Sequence, residues 1–131
     1  MAQTISRISV YTAQVPIKEG TYTMSHGRAL DYFDSTIARI DTKEGLTGWG
    51  EVVPLGSTYL PSYVAGARTG IQELAPHLIG QDATQLEAIN RIMDTALKGH
   101  PYCKSPLDQA CWDILGKEAG LPVHILLGGR F

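Results

Sequence analysis

The residue types that carry most enzyme chemistry are thinly spread in this chain. Four histidines, His26, His77, His100 and His124, share no i, i+4 spacing and have no cysteine at a ligand interval. Their pattern predicts no metal site. Gly48 and Gly50 form a GxG, but the third glycine of a dinucleotide fingerprint would fall on Val53, and the run sits in a strand pattern. There is no Gly-rich phosphate loop ending in Gly-Lys-Ser/Thr. A Ser–His–acid set lies outside what spacing can test, because such triads assemble from distant positions. Glu51 has two readings: a carboxylate facing a ligand, or, more simply, one that hydrogen-bonds nearby backbone and fixes the loop after it. Trp49 reads as core, and His100 as a loop or cap residue. Two runs have the mix of small, polar and aromatic residues found in binding loops: Ser25–His26–Gly27–Arg28 and Gly56–Ser57–Thr58–Tyr59. Solvated connections have the same composition.

The elements around these runs read clearly. Residues 5–15 are rich in β-branched types and predict a strand that Pro16 ends. Residues 18–31 read as a long loop. Residues 33–41 and 46–53 predict two more strands, joined by Thr42–Lys43–Glu44–Gly45 as a tight antiparallel turn. A second loop covers 54–61. Val64, Ala67, Ile71, Leu74 and Leu78 then recur at helical spacing from Ser62 onward, with Pro76 breaking or kinking the end. Thr84 and Glu87 form a capping-box pattern before a helix that carries Leu86, Ile89, Ile92, Met93, Ala96 and Leu97 on one side; Gly99 closes it.

The last helix has the most explicit signals. Ser105 reads as its cap, Pro106 as its first residue and Asp108 as a first-turn acid. Leu107, Ala110, Cys111, Ile114 and Leu115 make one apolar face. Asp113 and Lys117 make a weak surface pair. Gly120 and Pro122 stop the helix, and a short apolar turn covers 123–127. Trp112 widens the apolar arc. Either the helix is gripped from more than one side, or one core face is broad. Three strands followed by helices predict an α+β fold, a three-stranded antiparallel meander followed by a helical bundle.

Composition narrows the function classes. The 131 residues are 44% hydrophobic and 18% charged, which suits one globular domain. A net charge of -2 and the absence of basic runs argue against nucleic acid and anionic membrane as partners. No apolar run is long enough to span a bilayer. Residues 1–10 contain Arg7 and no continuous apolar core, so they do not read as a signal peptide. Cys103 and Cys111 share a helical region about 12 Å apart, too far for a disulfide, which predicts reduced thiols and a cytoplasmic protein.

The run QACWDILGKEAGLPVHILLGG, together with GLTGWGE at 45–51, strongly resembles the mandelate racemase / muconate lactonizing enzyme branch of the enolase superfamily. The resemblance implies an N-terminal capping domain at 1–103, with 104–131 as helix and linker leading to a (β/α) barrel absent from this chain. It also implies Mg²⁺ held by the barrel, abstraction of a proton α to a carboxylate, and two capping loops that select substrate. By order these loops match 18–31 and 54–61, making Tyr59 and His26 the leading substrate contacts, followed by Tyr22 and Ser25. No catalytic or metal residue carries over. PLGSTYLPSY, ELAPHLIGQD and the KGHPY–CWDILGK run look most like cis-3-hydroxy-L-proline dehydratases, with epimerases of proline-betaine or hydroxyproline-betaine as the alternative. An alternative of another class is a stand-alone α+β interaction module. Apolar surface meant for the barrel, at Trp112 and Leu126–Leu127, leads us to expect a homo-oligomer.

Overall fold

The structure, a computed structural model, describes residues 1–129; Arg130 and Phe131, the end of the predicted linker, lie outside the described residues. Strands β1 (Ile5–Pro16), β4 (Tyr32–Thr42) and β5 (Thr47–Val52) form an antiparallel sheet in the order β1-β4-β5. Between β1 and β4 a small hairpin pairs β2 (Tyr22–Met24) with β3 (Arg28–Leu30). Helices α1 (Val64–Leu78), α2 (Leu86–Ala96), α3 (Pro101–Ala119) and α4 (Val123–Leu126) follow. The α+β meander and helical bundle expected from the sequence are present. Gly45 adopts φ 99° in the turn between β4 and β5, as a tight turn there requires.

One face of the sheet is covered. Ala38 and Ile40 of β4 pack with Ile71, Leu74 and Leu78 of α1, Ile89 and Met93 of α2, and Leu107, Ala110, Cys111 and Ile114 of α3. Alternation along β4 puts even-numbered residues into this core. The predicted α3 face holds, except that Leu115 is only partly buried, as is Trp112. Both cysteines are free and buried, and burial pushes the Cys111 thiol up to about 12, with Asp108 and Asp82 nearby adding to the effect.

The closest approach in the fold is α3 on β5. A Cβ on Gly48 would lie 2.1 Å from the Ala110 carbonyl oxygen, and one on Gly50 would lie 1.9 Å from that of Pro106. Only residues without side chains let helix and strand backbones meet this closely. β5 is also an edge strand, and α3 supplies its missing partners. Gln109 Nε2 donates to the Glu51 carbonyl (3.1 Å), and the Glu51 N–H donates back to Gln109 Oε1 (3.2 Å). The Trp49 N–H donates to Asp113 Oδ2 (3.0 Å), and Lys117 Nζ donates to the Thr47 carbonyl (2.6 Å). Asp113 and Lys117 do pair, at 2.7 Å, but as part of this clasp and not merely as a surface contact.

Several expectations are corrected. The 18–31 loop contains the β2–β3 hairpin. α3 begins at Pro101, capped by His100 in a left-handed conformation, and not at Ser105 and Pro106. Pro106 lies inside the helix, where its buried ring offsets the lost backbone bond, and Asp108 accepts from Asn90 Nδ2 at 2.7 Å. α1 runs past Pro76 to Leu78, and the Ile79 N–H still reaches the Ala75 carbonyl, so Pro76 does not break the helix. α1 starts at Val64, two residues later than the periodicity from Ser62 suggests, with Tyr63 at its cap. The capping box does not form: Gln85 occupies the cap position, and Thr84 donates its hydroxyl and N–H to Asp82. Trp49 is 45% exposed, because the helix side of β5 is reserved for the two glycines, and alternation sends Trp49 to the open face. There its ring lies 6.1 Å from that of Tyr11, with the Arg39 guanidinium 5.4 Å above it.

Two predictions follow from this packing. Gly50→Ala forces a methyl into the rigid Pro106 carbonyl, and chemical denaturation should show a loss of about 3 kcal/mol or more; an unchanged midpoint would refute the close approach. Asp41, on the open face, accepts from Arg7 (2.9 Å), Arg39 (2.8 Å) and Thr47 (2.7 Å). Its burial alone raises its pKa, but the hydrogen bonds from Thr47, Arg39 and Arg7 outweigh that and bring it down to about 2. A depressed carboxylate stabilises the fold above its unfolded value of 3.8 and loses that contribution as pH falls towards 2. Asp41→Asn should therefore cost about 2 kcal/mol at pH 7, with the difference from the parent shrinking between pH 4 and pH 2.

Candidate functional site

The sheet topology brings both candidate loops to one end of the domain. β1 ends at Pro16, which pairs with Tyr32 at the start of β4, and Thr36 pairs with Val52 at the end of β5. The β1–β4 connection and the segment after β5 therefore leave from the same end of the sheet, opposite the 42–47 turn.

The first loop is built as a short lever. The Ile17 N–H donates to the Asp31 carbonyl (3.3 Å), and Thr21 Oγ1 donates to Asp31 Oδ1 (2.7 Å), which closes its neck. Tyr22 then pairs with Leu30, and Met24 with Arg28. Ser25, His26 and Gly27 make a single 3₁₀ turn at the tip. His26 sits at φ 64° and Gly27 at φ 72°. The left-handed conformation costs a residue with a Cβ roughly 1–2 kcal/mol, so His26 holds a strained place at an exposed tip, as residues at ligand-facing positions do.

The second loop turns on Gly56, which adopts φ 104°. The Tyr59 N–H (3.0 Å) and the Leu60 N–H (3.4 Å) both donate to the Gly56 carbonyl. Tyr59 is left 63% exposed. Arg28, next to the first loop's tip, donates from Nη1 to the Thr58 carbonyl at 3.2 Å. Leu30, Asp31 and Tyr32 share a groove with Pro54, Leu55 and Gly56.

Tyr22, Ser25, His26 and Tyr59 thus all lie exposed on two adjoining loops, Tyr22 at 50% exposure. The structure brings the two loops together through the Arg28–Thr58 contact. Sequence reasoning missed the linking role of Arg28, for which a lone arginine beside a loop glycine was the only signal. The Glu51 carboxylate accepts the Ser35 hydroxyl from the neighbouring strand, and not neighbouring backbone as the simpler reading had it. His100 caps α3, as the simple reading had it, with Nδ1 3.3 Å from the Tyr102 hydroxyl. Among the described residues no three His, Cys, Asp or Glu side chains come together as a metal site, and no helix is long and apolar enough to cross a membrane.

Comparison with known proteins agrees with this architecture. The chain is 55% identical over 125 residues to a cis-3-hydroxy-L-proline dehydratase of Roseibium aggregatum, covering 95% of this chain and 34% of that protein. It is 35% identical to an N-succinyl-L-Arg/Lys racemase of Bacillus cereus, covering 97% of this chain and 34% of the relative. It therefore spans about a third of the length of the curated relatives it matches. A crystal structure of an enolase-superfamily member from Roseovarius nubinhibens, complexed with magnesium, superposes with a TM-score of 0.88 at 52% identity, over 96% of this chain and 34% of the other. The sequence profile of the mandelate racemase / muconate lactonizing enzyme N-terminal domain matches residues 3–128, and the chain belongs to that family.

Proposed function

We propose that this chain is the substrate-selecting cap of a Mg²⁺-dependent cis-3-hydroxy-L-proline dehydratase. The observation that carries the reading is the 55% identity to such an enzyme over 95% of the chain. The geometry suits it, since two loops leave one end of the sheet and adjoin with Tyr59 exposed. In the proposed reaction the proton α to the carboxylate is abstracted and the β-hydroxyl then departs as water. The chain's part is to close over the substrate, exclude water and orient the ring. The described residues do not fit a magnesium site, so the metal and the base are assigned to a barrel that the segment at 104–131 leads into. Within that segment, Leu107, Ala110, Cys111 and Ile114 of α3 also pack into the capping core. A racemase or epimerase is the second reading, and the 35% identity to an N-succinyl amino-acid racemase favours it. The two free, buried cysteines support a cytoplasmic setting.

Leu121, Ile125 and Leu127 are exposed around α4, Leu127 at 67%. Apolar surface of this kind associates. Sedimentation of the 131-residue chain should show dimers or larger species; a compact monomer at high concentration would count against a covering partner.

The substrate's ring nitrogen is cationic, and a tyrosine face attracts a cation by about 0.5–1 kcal/mol when exposed and about 2 kcal/mol when desolvated. In the full-length enzyme acting on cis-3-hydroxy-L-proline, Tyr59→Ala should lower kcat/KM roughly tenfold or more, and Tyr59→Phe much less. Unchanged kinetics with a lowered Tm would remove Tyr59 from the substrate site.

A further inference from the structure

We propose that Arg28 is a positioning residue that couples the two loops into one lid, so that the 18–31 lever and the 54–61 loop open and close together. The inference rests on reading these loops as substrate-facing.

Arg28 occupies the last paired position before the lever's tip, opposite Met24. A side chain there moves with the tip. Its guanidinium Nη1 donates to the Thr58 carbonyl at 3.2 Å. That carbonyl belongs to the same peptide group as the Tyr59 N–H, which in turn donates to the Gly56 carbonyl at 3.0 Å. Arg28 therefore grips the peptide plane that leads into Tyr59, and both ends of that plane are held.

The lever transmits force because its neck is closed twice at Asp31, by the Ile17 N–H and by the Thr21 hydroxyl. The second loop has one turn's worth of backbone bonds and the Arg28 contact, and Ser57, Thr58, Tyr59, Leu60 and Pro61 are all exposed. The Ser62 N–H also donates to the Leu60 carbonyl (2.7 Å), which ties the loop's far end to the start of the helices. The carbonyl acceptor is backbone, so the link does not depend on which side chain stands at position 58. The donor is the part that can be deleted. Lysine reaches less far and lacks the planar fork, so arginine is the fitting type here.

Coupling of this kind acts in both directions. The test is amide hydrogen exchange on the 131-residue chain, read relative to the central β1–β4 ladder in the same sample. It uses no substrate, so its failure leaves the dehydratase reading standing, and failure of that reading leaves the coupling testable. Arg28→Ala should speed exchange of the Tyr59 and Leu60 amides about tenfold. Gly56→Ala, which strains a residue at φ 104°, should in turn speed exchange of the amides that pair β2 with β3, although it alters nothing in that hairpin. Unchanged Tyr59 and Leu60 exchange in Arg28→Ala overturns the proposal. So does an effect confined to one loop, since a purely local role for Arg28 would not loosen the lever when the other loop is disturbed.

Discussion

The fold depends on the backbone-to-backbone approach of α3 to β5. Two glycines, Gly48 and Gly50, remove the side chains that would hold helix and strand apart, and the Ala110 and Pro106 carbonyls come down onto the strand. At that distance Gln109, Asp113 and Lys117 reach the outward N–H and C=O groups of Glu51, Trp49 and Thr47. Four helix residues advance about 6 Å and two strand residues about 6.6 Å. The two repeats match well enough for three successive side chains to serve three successive strand positions. An unprotected edge is a template for pairing with other chains; here a row of helix side chains takes the place of a fourth strand.

Fixing α3 in this way fixes the rest. Leu107, Ala110, Cys111 and Ile114 of α3 meet α1, α2 and the inner face of β4 in one core. The other sheet face is left open, and its charges are arranged accordingly. Asp41 gathers two arginines and a threonine, while Arg39 also lies over Trp49. The sheet thus has a dry side that carries stability and a polar, aromatic side whose strength depends on pH.

The same rigidity serves the loops. Both spring from one end of a sheet that the α3 clasp holds, so their roots are fixed while their tips are exposed. The hairpin within the first loop extends that order outward to Arg28, and the Arg28–Thr58 contact hands it to the second loop. The roots are rigid, and the tips are exposed and chemically mixed, an arrangement common in binding loops.

Local signals in the sequence were enough for the order of the three sheet strands and the helices, and for the core, though not for the β2–β3 hairpin. The helical spacing of Leu107, Ala110, Cys111 and Ile114, the strand pattern of 33–41 and the turn at Gly45 each depend on a few adjacent residues, and each is found as read. The two loops were also legible, since small, polar and aromatic residues without aliphatic period predict exposure. What the tertiary structure alone decided depends on groups distant in sequence. Asp82, held by the Gln3 N–H from the far end of the chain, takes the Thr84 hydroxyl and N–H, so the capping box to Glu87 never forms. The helix that Ser105 and Pro106 were expected to open begins at Pro101 instead, where His100 turns left-handed, and Pro106 is absorbed into the core against Gly50. Trp49 faces outward because its glycine neighbours belong to the helix, and Arg28 acquires a role only because strand order sets it beside Thr58. In each case the deciding partner is far along the chain, and neither spacing nor propensity carries that distance.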